Sequence, residues 1–475
     1  MYLKYSKLLP KVKLQPHQSE VVELLKHQPA LLLYHGLGSG KTLSSIAATE
    51  GMSTTAVVPA ALRNNYLKEL NKFTDTPDAR QVLSYDAATK NLPISDALVL
   101  DEAHRIGNPA TARSQAIIEQ AAKFKKRLLL TGTPIRNNPS ELSALLQVLD
   151  PATKIPTSQQ GFDDNFLEEE KVSPTIWERI FKGLKPGSVT KAKNLASLQK
   201  AFKGKVHYFA PDSEHFPKRV DSTVKVDMSP EHLDIYNTII NKANPVIAAK
   251  VKSNFPLSKS EAKSLSAFLI GARIASNAPE AFGGTSPSNK LLRSFQDFKD
   301  DLAKNPKHKA ITYSNFIEGG IDPYAKLLDA AKLPYGRFTG GLTDKQRKEI
   351  VDDYNTGRIN NILLSGAGSE GLDLKGTRAI HILEPHWNDP RIEQTIGRGI
   401  RFKSHEHLTA AEREVQVRKY LSTIPATWMQ RLRSKPGNTS VDEYLANLAA
   451  EKEVLNKQFL DMLIAAAANK TRPET

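Results

Sequence analysis

Seven consecutive residues, GLGSGKT at 36–42, have the types and spacing of a loop that wraps a phosphate. Gly36, Gly38 and Gly40 carry no side chain, so backbone N–H groups can close on an anion. The segment TLSSIAATE behind them reads as a helix, whose N-terminus adds positive potential. Lys41 can reach the β- and γ-phosphates of a nucleoside triphosphate, and Thr42 offers a hydroxyl to Mg2+. Ser39, inside the loop, belongs with these nucleotide-binding residues. One position departs from the pattern G-x-x-x-x-G-K-[ST]: His35 stands where the first glycine is expected.

A second set of groups completes the chemistry. In DALVLDEAHRIGNP the apolar residues 97–100 read as a strand, with Asp101 and Glu102 at its carboxyl end. Ligands of parallel sheets bind at that end. Asp101 would hold the Mg2+, and Glu102 would polarise an attacking water as general base. Both groups need a strand behind them. ALLLY at 30–34 supplies one for the loop, giving strand, glycine-rich turn and helix in order.

These elements sit in a chain of 475 residues, long enough for two or three domains. A hydrophobic fraction of 40% and a charged fraction of 25% are those of a globular protein. The absence of cysteine excludes disulfides, iron–sulfur clusters and cysteine-bound zinc. The apolar runs are strand-length, no membrane span is expected, and the first residues do not read as a secretory signal. A cytoplasmic or nucleoid location is the expectation. With 66 Lys+Arg against 51 Asp+Glu the net charge is +15, which suits either a polyanionic partner or a merely basic surface.

With GLGSGKT and DEAH in place, the chain resembles superfamily 2 helicases and translocases, and further matches follow in order. LQPHQ (14–18) resembles the element whose glutamine, here Gln18, reads adenine. AVVPAALRNNYLKEL (56–70) is similar to a segment that grips the nucleic-acid backbone, and LLLTGTPIRNNPSEL (128–142) to the signature of the Swi/Snf branch. KAITYSNF (309–316), LLSGAGSEGLDL (363–374) and Q-x-x-G-R-x-x-R at Gln394, Gly397, Arg398 and Arg401 resemble the motifs of a second lobe. This last region is closest in character to poxvirus and giant-virus Swi/Snf-like ATPases, among them nucleoside triphosphate phosphohydrolase I and the early transcription factor subunit.

The resemblance implies an α/β fold of two RecA-like lobes with parallel sheets, helical insertions and a C-terminal helical extension. It implies ATP and Mg2+ as cofactors and DNA, duplex or branched and with little sequence preference, as partner. A further partner in replication, recombination or transcription machinery is an expectation. Lys41, Asp101, Glu102, Arg398 and Arg401 would be catalytic, the arginines neutralising charge on the transferred phosphoryl group. Gly371 and Asp373 would join the nucleotide-binding set. His104, Thr131, Thr133 and Gln394 would couple nucleotide state to nucleic-acid grip. Because such loops rely on their later glycines, His35 is expected to face a neighbouring strand.

The expected organisation is a first lobe over 1–220 with a helical insertion at about 151–205. A second lobe would cover 221–405 with a helical insertion at about 229–282, and the extension would run over 406–475. Within it, residues 440–468 open with a capping box (Ser440, Glu443) and carry an apolar stripe from Val441 to Met462, expected to pack on the second lobe. Trp387 reads as core. A strand-separating DNA or RNA helicase, or a viral-type transcription-associated ATPase, is the alternative to a duplex translocase. A non-catalytic binding module ranks last, since the loop, base and arginines are intact.

Overall fold

The computed structural model describes residues 13–211, 216–242, 244–366, 372–385, 389–401, 403–426 and 438–470. The chain forms two units. The first comprises Met1–Glu168, Lys191–Asp212 and Glu453–Thr475, and the second Glu169–Thr190 and Ser213–Lys452.

The first eight strands are β1 (Ala30–His35), β2 (Thr54–Val58), β3 (Arg80–Ser84), β4 (Ala97–Asp101), β5 (Lys126–Thr131), β6 (Leu167–Val172), β7 (Gly187–Ala192) and β8 (Val206–Phe209). Six of them make the parallel sheet of the first unit, in the order β3-β2-β4-β5-β1-β8. Successive side chains point to opposite faces of a strand. Leu31, Leu33, Val99, Leu128 and Leu130 therefore pack on one face, against Val21 and Leu25 of the helix Pro16–His27 and Tyr66 and Leu70 of the helix Arg63–Phe73. Leu32, Leu98, Leu100 and Leu129 fill the other face with Leu142, Leu145, Phe162 and Phe202. Both faces are covered, which is why these strands read as unbroken apolar runs.

The remaining strands are β9 (Lys218–Asp227), β10 (Ala310–Ser314), β11 (Tyr335–Phe338), β12 (Asn361–Ser365), β13 (Ala379–Ile382) and β14 (Glu414–Thr423). They form the second unit's parallel sheet, ordered β11-β12-β10-β13-β14-β9. Ile311, Ile362, Ile380 and Val417 pack with Ile392 and Ile396 on one side, while Leu363 and Ala379 meet Leu291, Phe298 and Tyr324 on the other. The architecture is thus α/β with two parallel sheets, and no helix among the described residues is long and apolar enough to cross a membrane.

Three expectations need correction. Residues 151–205 are not only helical: β6 and β7 pair as a two-stranded ribbon flanking the helix Ile176–Lys182. The exposed run Glu168–Glu170 has no apolar alternation, so its strand arises from pairing alone. The region 406–475 is not a helical extension throughout, because residues 414–423 form β14, with Val415 and Val417 buried at period two. Finally, the last helix, Val441–Ala465, does not spend its whole stripe on the second unit. Val441, Tyr444 and Leu445 join that unit's core, but Phe459, Met462 and Leu463 belong to the first unit's core with Phe162 and Phe166. Its expected capping box is present: Ser440 N–H donates to Glu443 Oε2 and Glu443 N–H to Ser440 Oγ, both at 3.1 Å.

Candidate nucleotide site

Sheet order explains how distant segments meet in the first unit. β5 lies between β4 and β1, so the turns after β1, β4 and β5 leave the carboxyl edge side by side. These are the phosphate loop, the Asp101–Glu102 turn and the Thr131–Thr133 turn. Gly132 matters in this crowding: a Cβ there would stand 3.3 Å from the His35 carbonyl oxygen and 3.7 Å from Lys41 Nζ.

Gly38 and Gly40 take left-handed backbone, φ 76° and 72°, which a side chain would strain. Gly36 is required for another reason, since its Cβ would meet Pro211 Cδ at 2.6 Å. Lys41 opens the helix Lys41–Ala48, and its Nζ donates to the carbonyls of His35 at 3.0 Å and Gly36 at 3.1 Å. Burial lowers its pKa, while Glu102 and Asp101 oppose the loss of charge. Gln18, buried on the helix Pro16–His27, reaches the same loop: its Nε2 donates to the Gly40 carbonyl at 3.4 Å and lies 3.5 Å from that of Ser39. Ser39 is itself buried.

Asp101 ends β4 and is buried. Burial first, and the charge of Glu102 second, push its carboxyl up to about 7, while Lys41 pulls it down. Its Oδ1 accepts the Glu102 N–H at 3.0 Å, and its backbone carbonyl accepts the Tyr85 hydroxyl at 2.7 Å. Glu102 is held at φ 51°, ψ 51°, left-handed for a residue with a Cβ. Such a conformation costs on the order of 1–3 kcal/mol and persists where the surroundings impose it. Here the next turn, Ala103–Ile106, places His104 under the end of β5. His104 Nδ1 lies 3.1 Å from Thr131 Oγ1, 3.4 Å from Thr133 Oγ1 and 3.4 Å from Glu102 Oε2. Burial, with Arg136, Arg105 and Lys41 nearby, pushes this imidazole down to about 3, so its contact with Glu102 is one of a neutral ring and not an ion pair. Thr131 Oγ1 also accepts the Thr133 N–H at 3.1 Å. The general-base candidate and both threonines thus share one histidine.

Glu69 was not singled out by sequence. It projects from the helix Arg63–Phe73, hydrogen-bonds the Thr42 side chain, and has its pKa raised mainly by burial. Nothing in YLKELNKF marks that glutamate from its neighbours; only folding brings it to Thr42. The oxygen donors at hand, the Thr42 hydroxyl and the Asp101 carboxylate, fit a hard cation such as Mg2+. This ion takes few protein ligands and completes its shell with phosphate and water.

In the second unit, Arg398 lies on the helix Asp389–Gly399 and Arg401 follows it. Arg401 donates from Nη1 to the Leu372 carbonyl at 2.9 Å and to Asp373 Oδ1 at 3.3 Å, so the structure joins two residues that the sequence assigned separately. At the end of β10, Ser314 Oγ donates at 3.0 Å to buried Glu384, which also accepts Asn277 Nδ2 at 2.7 Å. Gly371 and Trp387 lie outside the described residues, as does the side chain of Gln394.

Residues 84–280 match the SNF2-related domain, and residues 292–403 match the helicase conserved C-terminal domain. The chain belongs to the SNF2-related helicases. The first match begins beyond the phosphate loop, so the loop's assignment stands on its own geometry. Among relatives, a protein of Acanthamoeba polyphaga mimivirus named as an ATP-dependent RNA helicase is 26% identical, the alignment spanning 96% of this chain and 97% of that one. A termination factor NPH-I homolog of African swine fever virus is 24% identical over 92% of this chain and 76% of its own. A solved structure, the Sulfolobus solfataricus SWI2/SNF2 ATPase core in complex with dsDNA, aligns over 95% of this chain and 97% of its own at 18% identity, with a TM-score of 0.36. As a family member the protein is an ATP-hydrolysing enzyme, and helicase membership brings nucleic-acid binding with it.

Proposed function

We propose that this SNF2-related enzyme is an ATP-driven translocase on duplex or branched DNA. The observation that carries the reading is the histidine shared by Glu102, Thr131 and Thr133: it connects the residue that would orient water to a turn of the motor core. In this reading Lys41, supported by the His35 and Gly36 carbonyls, meets the β- and γ-phosphates, and Gln18 reads the adenine. Thr42 and Asp101 hold Mg2+, which supplies charge neutralisation on the phosphates. Glu102 accepts the proton of the attacking water. By the family resemblance Arg398 and Arg401 are catalytic and Gly371 and Asp373 bind nucleotide, and Gln394 joins His104, Thr131 and Thr133 in coupling. Preference for DNA is supported by the +15 charge and by the TGTP sequence shared with the Swi/Snf branch. Viral relatives support action in a host cytoplasm or nucleoid, beside replication, recombination or transcription machinery.

ATP hydrolysis measured with duplex DNA, single-stranded DNA and RNA at one salt concentration tests the reading. Stimulation by duplex DNA is expected; strong stimulation by RNA alone would overturn it. RNA is the second reading, favoured by the name of the mimivirus relative. Displacement of a triplex-forming strand without duplex separation would mark a translocase as against a strand-separating helicase.

A further inference from the structure

Behind the phosphate loop, three side chains with no part in the reading above are joined by hydrogen bonds. Glu20, on the helix that carries Gln18, meets Nε2 of His207 at 3.0 Å, and Nδ1 of His207 meets Nε2 of His35 at 2.8 Å. Both imidazoles are fully buried, on neighbouring strands β8 and β1. An ionised carboxylate only accepts, so the proton of His207 is on Nε2. Its Nδ1 is then a bare acceptor, and His35 must donate from its own Nε2. The reversed order would set a nitrogen lone pair against the carboxylate. It would also put a proton on His35 Nδ1, which has no hydrogen-bond partner among the described residues. Burial, together with His207, Lys41 and His17, pushes His35 down to about 2, and burial lowers His207 against the pull of Glu20, so both rings are neutral.

What the three residues hold in place is the entry to the loop. The carbonyl of His35 is one of the two on which Lys41 rests, and the Gly36 N–H donates to the Phe209 carbonyl of β8 at 2.9 Å. Phe209 in turn stacks on His17 at 3.6 Å between ring centroids, and His17 Nε2 lies 2.9 Å from the Ser39 carbonyl oxygen. β8 therefore grips the loop from one side and the Gln18 helix from the other.

We propose that Glu20, His207 and His35 are positioning residues for ATP hydrolysis, an ordered chain of hydrogen bonds that fixes the carbonyls supporting Lys41 relative to the Gln18 helix. The proposal rests on the reading that GLGSGKT takes the triphosphate. It gives His35 a reason at the position where a glycine is usual: it brings a ring whose N–H needs an acceptor, and β8 provides one.

The test is steady-state ATP hydrolysis by the full chain at saturating duplex DNA, with thermal melting alongside. His207→Leu leaves the His35 N–H buried without an acceptor, and should raise KM for ATP by about tenfold with kcat changed by less than about twofold. His207→Asn keeps an acceptor near the Nδ1 position and should restore most of the loss, a rescue that a purely space-filling role would not give. Glu20→Ala removes a half-exposed carboxylate, releases the proton order, and should raise KM by about threefold in a protein that melts normally. A folded His207→Leu enzyme with wild-type KM overturns the proposal. Should that variant fail to fold, an unchanged KM in Glu20→Ala overturns it instead. Lys41→Ala separates the two readings: if it abolishes turnover while the other variants behave as wild type, only the relay falls, whereas retained turnover removes the nucleotide site itself.

Discussion

Replacing Asp101 by asparagine should stabilise the nucleotide-free protein at pH 8 while ending its turnover. Asp101 is 9% exposed, and its carboxyl is raised from an ordinary 3.8 to about 7. Between those values the folded protein binds a proton that the unfolded chain releases. The contribution of this residue is therefore most favourable below about pH 4 and declines as pH rises to 7. Above pH 7 the fold carries a buried charge whose cost, at about 1.4 kcal/mol per pH unit between the two pKa values, is about 4 kcal/mol. Asparagine keeps the oxygen that accepts the Glu102 N–H but carries no charge. Part of the gain is returned at Lys41, which loses an attractive neighbour. A net gain of about 2–3 kcal/mol corresponds to a rise of roughly 4–12 °C in the melting temperature of a unit this size. The assay is thermal unfolding of both proteins at pH 5 and pH 8 without nucleotide. Other titrating groups are common to the two, so the difference between their pH slopes isolates Asp101. Equal slopes, or a variant melting at or below wild type at pH 8, would refute the reasoning.

Glu102→Gln should abolish turnover while retaining binding of a fluorescent ATP analogue, because the amide cannot accept the water's proton; turnover that survives removes Glu102 as base. Thr131→Val deletes the hydroxyl shared by His104 and the Thr133 N–H. Nucleic-acid-stimulated kcat should fall several-fold with KM for ATP unchanged, and an unaltered stimulation ratio would count against the coupling role. In the second unit, Lys290 Nζ and Asp442 Oδ2 form a fully buried ion pair at 2.6 Å. Asp442→Ala strands the lysine and should cost about 3–5 kcal/mol, read as a lower melting temperature of that unit; an unchanged melt would sink the assignment. Trp177, 71% exposed, stacks on the similarly exposed Phe181. Trp177→Ala should alter stability by less than about 0.5 kcal/mol, and a larger loss in a melting experiment would show that the side chain is packed.

By itself the sequence determined the chemistry that is local in the chain. GLGSGKT specifies a loop because glycines at every second position free the backbone beside the lysine and threonine that act, and DALVLDE specifies a strand ending in two carboxylates because those residues are likewise adjacent in the chain. Apolar runs of strand length announced individual strands covered on both faces, which need no alternation, while two parallel sheets followed from the family resemblance. The tertiary structure decided which ends stand together. Placing β5 between β4 and β1 sets Gly132 beside Lys41 and Thr131 beside His104, a consequence of strand order that no spacing encodes. Glu69 at Thr42, and Glu20 and His207 behind His35, were invisible for the same reason: each is an ordinary polar residue until folding brings it to a partner on another element. The last helix makes the point most simply. Its stripe showed that one face would be buried, but a hydrophobic face carries no address, and only packing divided it between two cores.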